Sequence, residues 1–467
     1  MSIPSTGRIL TLLAAFLLSV GWTIQSRAGG FTIVEFGAKK TSMMCSIAKP
    51  DDLSAAFHNP AGLANLHGTQ FHLSSGFSIV DAGIKVRAWP AGEGQSGSED
   101  YIDTAVDEDG YFEGTIKPTK YFGAMPMFAM SSDFGFDKGP VVSLSVYVPD
   151  FIGAFMPEDA PTRYFVTEAY FIAGMASASV GYRLPDPVDW ISIGASLGVM
   201  YVRMEGKRWV NVPLYGDETT DYVLHMLGED VQPFWNVGLT AEPIDGLVAG
   251  LVFIAGASVA LDGSLGIDLP PGETEEDPVL LAVTDGHGLL GEYEQTTHMK
   301  VPSGLGAGLH WQVMDELDLA ADFRWWFYHV FESQDMDHNI EQEVLGEPAV
   351  ENPMVTPKDY HGSWTLSFGA AYRPFPDDWP VEFLAGWTYD KSPAPTRTKS
   401  LDAPTVDLTG ISFGLRYTFE PSWRLSLGYY HYWYLKDEVT DSLLDPPQNA
   451  IFSGGVHTIS AQVEFKL

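Results

Sequence analysis

Apolar and polar residues alternate with a period of two over long stretches of the chain, and this pattern limits the possible folds most. Between residues 410 and 419 the apolar positions are Ile411, Phe413, Leu415, Tyr417 and Phe419. The stretches 363–373 and 456–467 alternate in the same way. Because successive strand residues point to opposite faces, each stretch predicts a strand with one apolar and one polar face. A soluble sandwich and a membrane barrel with a polar lumen both fit this pattern.

The connections between strands decide between these two architectures. Fourteen strand candidates are present, at about 70–89, 120–130, 139–148, 174–184, 190–205, 233–242, 246–256, 302–313, 317–328, 363–374, 380–389, 408–419, 423–434 and 456–467. Short Pro- and Asp-containing turns, such as 184–188 and 374–378, alternate with much longer loops. Outer-membrane barrels have this asymmetry, and also aromatic girdles like those that Trp190, Trp387 and Trp423 would form near strand ends. The sequence predicts an all-β transmembrane barrel of about 14 antiparallel strands.

Composition excludes several classes of protein. The chain has 467 residues with 26 basic and 61 acidic side chains, a net charge of −35, which opposes binding to nucleic-acid phosphates. Its single cysteine, Cys45, cannot form an internal disulfide. The twelve histidines are scattered, without a Gly-x-Ser-x-Gly or His-Glu-x-x-His motif. We therefore expect no enzymatic activity, no cofactor and no metal site.

The N-terminus has the three parts of a secretory signal peptide. Arg8 precedes an apolar stretch, 9–20, and small residues stand before a cleavage site after Ala28. The apolar stretch is too short to span a bilayer. We expect residues 1–28 to be removed, a compact irregular segment at 29–69, and the barrel at 70–467.

Several motifs resemble the FadL-type outer-membrane transporters of long-chain fatty acids and other hydrophobic compounds. They are 29–31 (Gly-Gly-Phe), 51–62 (with its Asn-Pro-Ala), 179–183, 191–201 and 387–397, and they match in order and spacing over nearly the whole mature chain. The resemblance implies residence in the outer membrane of a Gram-negative bacterium. It also implies that residues 29–69 form a hatch, or plug, inside the barrel. Local chemistry alone makes Asn59, Pro60, Ala61 and Gly62 a turn, whereas the resemblance makes them a constrained part of a hatch that moves to open a passage.

Apolar runs in the expected outer loops suggest where substrate is captured. The runs 209–214 and 222–227 fall in the predicted third long loop, and 278–283 falls in the fourth. Exposed apolar patches mark binding sites, although these runs could also pack together as a cap. The resemblance implies a groove between the two loops. The residues expected to contact substrate are Phe31, Trp209, Leu214, Leu224, Leu227, Leu280 and Leu281.

Two basic residues are candidates for a carboxylate head group. Arg208 has the same parity as Ser192, Gly194, Ser196 and Gly198, so it should point into the lumen near the outer end. It also aligns with the arginine that the resembling transporters use for this purpose, although a salt bridge with Glu205 is an alternative. Lys358 lies close to the position of the family's second basic ligand.

The third strand candidate is interrupted at its outer end. It meets Pro149, Asp150, Phe151 and Gly153. Proline cannot donate to a strand ladder and glycine lets the backbone bend. The strand could simply end at Pro149, whereas the resemblance implies a kink that opens the wall toward lipid.

Passive uptake of long-chain fatty acids, with lateral release into the membrane, is the leading functional hypothesis. The alternatives are a channel for aromatic hydrocarbons or alkanes, a porin for hydrophilic solutes, and a barrel enzyme. Expected partners are a hydrophobic small molecule, outer-membrane lipid and lipopolysaccharide. The acidic loop 98–110 is expected to be either solvated or bridged to lipopolysaccharide by divalent ions. We expect a monomer.

Overall fold

The computed structural model describes residues 36–467 with short gaps. The gaps are 91–97, 120–122, 137, 214–218, 277, 279–280, 282–285, 287, 345–346, 349, 376–379, 403–404 and 421. The expected signal peptide, 1–28, lies outside the described residues, as do Phe31, Leu214 and Leu280. Among the described residues, no helix is both long and apolar enough to cross a bilayer.

Fourteen antiparallel strands form a closed barrel, which confirms the predicted fold class. The strands are β1 (Gln70–Val86), β2 (Gly123–Ala124 and Met127–Ser132), β3 (Val141–Phe155), β4 (Glu168–Arg183), β5 (Ile191–Pro213), β6 (Thr219–Ile244), β7 (Leu247–Ile254 and Ala257–Asp268), β8 (Gly291–Val301 and Gly304–Met314), β9 (Leu317–Trp326 and Ser333–His338), β10 (Met354–Pro357 and Ser363–Tyr372), β11 (Val381–Asp390), β12 (Leu408–Glu420), β13 (Trp423–Tyr434 and Asp437–Val439) and β14 (Ala450–Lys466). Where two ranges are given for a strand, they are consecutive parts of the same strand. A two-stranded hairpin, Glu343–Val344 with Glu347–Pro348, lies in the loop between β9 and β10.

The barrel closes where β1 pairs with β14. This seam runs from Gln70 opposite Lys466 to Val86 opposite Ala450 without a register shift. On its other side β1 pairs with β2, with Gln70 opposite Ser131. Closure at this seam pairs the edges of the first and last strands, which a barrel in hydrocarbon requires.

The two faces of the strands differ as the alternation predicts. On β5, Leu197 and Val199 are exposed on the outside, whereas Ser192 and Ser196 are buried on the inside. The aromatic side chains of Trp190, Trp387 and Trp423 are also exposed. The exposed apolar band is the surface that meets lipid.

β5 and β6 are much longer than the sequence pattern predicts. They pair without interruption from Ile191 opposite Ala241 to Pro213 opposite Thr219. The prediction that 209–214 and 222–227 belong to a long third loop is therefore wrong, because only 214–218 connects the two strands. Both runs contain β-branched and aromatic residues, among them Val210, Tyr222 and Val223, and such residues favour strands. The ribbon of β5 and β6 projects beyond the membrane, which a strand of about 9–11 residues already spans.

Residues 36–66, called the inner segment here, contact strands on all sides of the barrel. The segment contains α1 (Ala38–Met43), α2 (Ala55–His58) and a 3-10 helix (Pro60–Asn65). Ser412 of β12 donates to the Ser42 carbonyl, Asp322 of β9 accepts from the Ser46 amide, and Asn59 donates to the Leu239 carbonyl of β6. A segment held from opposite walls of a closed barrel lies in the lumen.

Glycine residues occupy the barrel wall where the inner segment approaches it most closely. A Cβ atom at Gly194 would lie 2.2 Å from the carbonyl carbon of Pro60, and one at Gly238 would lie 1.9 Å from Asn59 Oδ1. Next to these positions, Ser196 Oγ donates to the Ala56 carbonyl at 2.6 Å. The small and polar residues of β5 and β6 therefore leave room for the inner segment and also bind it.

We expect Gly194→Val to loosen the inner segment. The added side chain collides with backbone that has no room to move, and overpacking of this kind costs about 1–3 kcal/mol. Amide hydrogen exchange at 59–66 should accelerate and the apparent Tm should fall. Gly174→Val is the matched control, because a Cβ atom there meets no described heavy atom within 4 Å. Equal exchange in both variants would show that this close contact does not hold the segment.

Candidate functional site

A cavity of about 200 Å³ lies at the end of the barrel that carries the long loops. Its walls come from β4 to β10, and the loops that precede β12 and β14 contribute Ser400, Asp402 and Gln448. This space is called the outer cavity here.

Methionine dominates the apolar lining of the outer cavity. The five that line it are Met204, Met226, Met299, Met336 and Met354. Phe171, Leu224 and Phe331 add apolar surface. Methionine is unbranched and polarisable, so it adapts to ligands of different shape. The lining suits a flexible apolar molecule.

Arg208 points into the outer cavity, on the face of β5 that parity predicts. Its guanidinium forms no ion pair with a described residue, and the opposite charges near it are the carboxylates of Asp402 and Asp445. The alternative pairing with Glu205 is not formed, because Glu205 is bound by Arg203. Arg203 also contacts Glu229 at 2.6 Å. Arg208 thus remains open to an anion in the cavity.

Lys358 faces the same cavity from the interruption between the two segments of β10. Its side chain is buried, and Nζ donates to Ser400 Oγ at 3.0 Å and lies 3.9 Å from Asp402 Oδ1. Tyr360 packs edge-on against Phe331 beside it, with ring centroids 5.2 Å apart. Burial, and then the charge of Asp402, raise the pKa of Tyr360, so its phenol stays neutral. Lys358 is a second cation at an apolar cavity.

The structure brings together only some of the expected substrate contacts. Arg208, Leu224 and Lys358 line the outer cavity. Trp209 lies on the opposite face of β5, where the guanidinium of Arg163 covers its ring at 4.9 Å. Leu227 shares a face of β6 with the exposed Val231.

Leu281 lies in the loop after β7 and is partly buried.

Several lining residues escaped the sequence analysis. Met204 and Met226 have the same strand parity as Arg208 and Leu224, so the alternation could have identified them once the length of β5 and β6 was known. Ser400 and Gln448 come from loops without a periodic pattern. No sequence signal marks these two.

Asn59 links two parts of the inner segment to the wall. Its Nδ2 donates to the Ile47 carbonyl at 2.8 Å and to the Leu239 carbonyl at 3.2 Å, and its Oδ1 accepts from the Ala61 amide at 3.2 Å. Pro60 begins the 3-10 helix, and all residues from Asn59 to Gly62 are buried. The expected hatch residues form a compact, hydrogen-bonded corner against β6.

β3 does not end at Pro149, so that alternative is wrong. It continues to Phe155 with a bulge, because Tyr147 faces Met175 while Asp150 already faces Ala173. One extra residue in β3 produces this shift, and Pro149 lacks the N–H that a regular ladder would need.

Among the described residues, the regular ladder on the other edge of β3 stops at the same place. The ladder with β2 stops at Met127 opposite Tyr147, followed by a hydrogen bond from the Val148 amide to Pro126. The next hydrogen bond described on this edge of β3 runs from the Thr119 amide to the Phe155 carbonyl. Residues 120–122 lie outside the described residues. The β4 residues paired with this part of β3, from Glu168 to Phe171, also line the outer cavity. The bulge and the cavity share one section of wall.

A closed barrel with an apolar outer face and an apolar inner cavity defines an outer-membrane protein that handles hydrophobic compounds. The family comparison agrees: the model for "Outer membrane protein transport protein (OMPP1/FadL/TodX)" matches residues 19–466. The chain belongs to this family of outer-membrane β-barrel transporters of hydrophobic compounds from Gram-negative bacteria. The family consists of transport channels. No protein with curated annotation matches the chain.

Solved structures with this fold cover almost the whole chain. A Pseudomonas aeruginosa FadL homologue superposes with a TM-score of 0.77 at 16% identity, covering 94% of this chain and 99% of its own. The P. putida toluene transporter TodX gives 0.66 at 15% identity, with 94% and 99% coverage. The Ralstonia pickettii toluene transporter TbuX gives 0.61 at 14%, also with 94% and 99% coverage. At these identities the similarity concerns the fold.

Proposed function

We propose that this protein takes up long-chain fatty acids, or closely related apolar carboxylates, and releases them sideways into the outer membrane. The observation that carries the proposal is the outer cavity, where methionine and other apolar side chains lie beside the two cations Arg208 and Lys358. The lining also includes Lys207 and the carboxylates of Glu168, Glu205 and Asp402. An apolar tail gains about 0.8 kcal/mol per buried CH₂ group. A carboxylate forms strong charge-assisted hydrogen bonds with arginine and lysine.

The two cations favour an acid over a neutral hydrocarbon. A hydrocarbon in the outer cavity would remove water from Arg208, Lys358 and the carboxylate of Asp402 without forming hydrogen bonds to them, and such desolvation costs free energy. The toluene transporters with this fold support the second candidate, an aromatic hydrocarbon channel. Binding of matched acids and hydrocarbons distinguishes the two.

The inner segment serves as the hatch in this proposal. It fills the lumen, and polar contacts such as those of Asn59 and Ser196 hold it to the wall. Hydrogen bonds of this kind are replaceable by water, so the segment can shift without unfolding the barrel. The barrel closes on itself, and we propose that it acts as a monomer among lipid and lipopolysaccharide.

The bulge in β3 is the proposed exit. A chain of sixteen or eighteen carbons would lose about 0.8 kcal/mol per CH₂ group on entering periplasmic water. The section of β3 after Pro149 pairs with β4 on one side, and its other edge carries few described hydrogen bonds. The acyl tail would pass at this section of β3 from the outer cavity to lipid without contacting water.

Arg208→Ala should weaken oleate binding about tenfold to a hundredfold, because a hydrogen bond to a charged group contributes about 1.5–3 kcal/mol. Affinity for an alkane of equal length should change little. Isothermal titration of the purified barrel in detergent measures both. Arg183→Ala is the matched control, because Arg183 lies at the other end of the barrel, where it lines the cavity beside the short turns. Equal losses for acid and alkane would assign Arg208 to the structure of the wall instead.

Deleting Pro149 together with Gly153→Thr should restore one-to-one pairing of β3 with β4. Oleate binding should survive, since the outer cavity keeps its cations, while uptake into the membrane should fall on the order of tenfold, because the remaining exit passes through water. Pro233→Val is the control, since Pro233 faces Val199 in regular register. A folded, oleate-binding deletion variant with wild-type uptake would exclude exit through the wall.

A further inference from the structure

Three buried side chains that are distant in sequence meet where the inner segment touches the closing seam. His72 of β1 and Glu464 of β14 are direct cross-strand partners, and Asp52 reaches them from the inner segment. Their exposed fractions are 1%, 8% and 1% for His72, Glu464 and Asp52. Each offers one ligand atom, and the three atoms lie within 4.8 Å of one another.

The neighbours of these side chains fix their orientation. His72 Nε2 is 2.9 Å from Ser74 Oγ. Asp52 Oδ1 accepts from the Ser54 amide at 2.8 Å, and Oδ2 accepts from Gln462 Nε2 at 2.9 Å. Metal-binding histidines and carboxylates have outer partners of this kind, which hold the ring and the carboxylate in place.

Two polar atoms of the cluster lack the partners that burial demands. His72 Nδ1 and Glu464 Oε2 have no hydrogen bond within the part of the chain that the structure describes. The closest charge to Glu464 Oε2 is Arg424 Nη1, 3.5 Å away. Buried polar atoms are almost always satisfied, so such atoms often mark a ligand site.

We propose that Asp52, His72 and Glu464 bind a divalent transition-metal ion, with Zn²⁺ the best match. One imidazole nitrogen and two carboxylate oxygens form a donor set that suits Zn²⁺, whereas Mg²⁺ and Ca²⁺ prefer oxygen alone. Ligand bonds of about 2.0–2.2 Å require the three side chains to draw together slightly. The ion also adds positive charge beside two buried carboxylates, to which Arg424 and Arg416 are the neighbouring guanidinium groups.

The ion has a route to this site. Glu464 and Arg424 line a second cavity, of about 400 Å³, at the end of the barrel that carries the short turns. Asp51 and Lys49 of the inner segment line it too. A metal ion therefore reaches the cluster from the periplasmic side without crossing the apolar parts of the lumen.

The bound ion ties the inner segment to the wall. Asp52 belongs to the inner segment, whereas His72 and Glu464 belong to the two strands that close the barrel. The consequence for transport rests on the proposed function: an ion that clamps the hatch to the seam slows its displacement. The site itself does not depend on that function.

The test uses the full mature barrel in detergent, without a histidine tag, dialysed against micromolar Zn²⁺. Elemental analysis should give about one ion per wild-type chain, and Co²⁺ in its place should give the visible absorption bands of a site with mixed nitrogen and oxygen ligands. His72→Ala and Asp52→Asn should each weaken binding at least about tenfold, as expected for the loss of a ligand. His310→Ala should bind like the wild type, because the described part of the chain places no third metal-ligating side chain at the buried His310–Asp318 pair, whose atoms are 3.1 Å apart.

A shift in gel mobility between heated and unheated samples shows that each variant is folded. If His72→Ala or Asp52→Asn does not fold, Glu464→Gln takes its place. A folded wild type without metal above the buffer blank overturns the site, as does His72→Ala that binds Zn²⁺ like the wild type. Uptake of oleate with and without Zn²⁺ is measured separately. Metal binding without an effect on uptake supports the site and overturns only its role in the hatch. A folded wild type that binds no Zn²⁺ but takes up oleate overturns the site and leaves the transport proposal intact.

Discussion

The structure depends on one constraint, that backbone N–H and C=O groups inside a bilayer must find partners within the protein. The seam between β1 and β14 meets this constraint, because it pairs the first strand with the last from Gln70 to Val86. Without this seam, both terminal strands would present unpaired edges to lipid. Closure also creates an enclosed lumen with polar walls, and the contents of that lumen follow from it.

The inner segment is held to those walls by apolar packing, such as Phe57 against Phe234 of β6, and by polar contacts. The carboxylate of Asp322 accepts from the amides of Ser46 and Ile47, and Arg416 pairs with Asp51 at 3.0 Å. Glycine in the strands removes side chains where the backbone of the segment comes near. The barrel has its own hydrogen-bond ladder, so segment and barrel are two partly independent structures. This separation allows the segment to move while the wall stays intact.

The sequence could predict the wall far better than its contents. Alternation identified fourteen strands because the two faces of each strand meet such different surroundings, and parity placed Arg208 on the inside. The alternation did not predict the full length of β5 and β6, because the part of these strands beyond the membrane is no longer apolar on one face and polar on the other. The contacts of Asn59 with Leu239, and of Asp52 with His72, join residues far apart in the chain. No local pattern encodes such contacts.

The methionine lining of the outer cavity has a chemical consequence. Oxidants at the cell surface convert methionine to its sulfoxide, which is polar and hydrogen-bonding. Met204, Met226 and Met299 all line the cavity, so oxidation would replace apolar sulfur surface by dipoles and attract water. The thioethers that let the cavity adapt to many apolar shapes thus make its affinity for ligand sensitive to oxidation. Enzymatic reduction of the sulfoxides would have to act on a folded, membrane-embedded barrel.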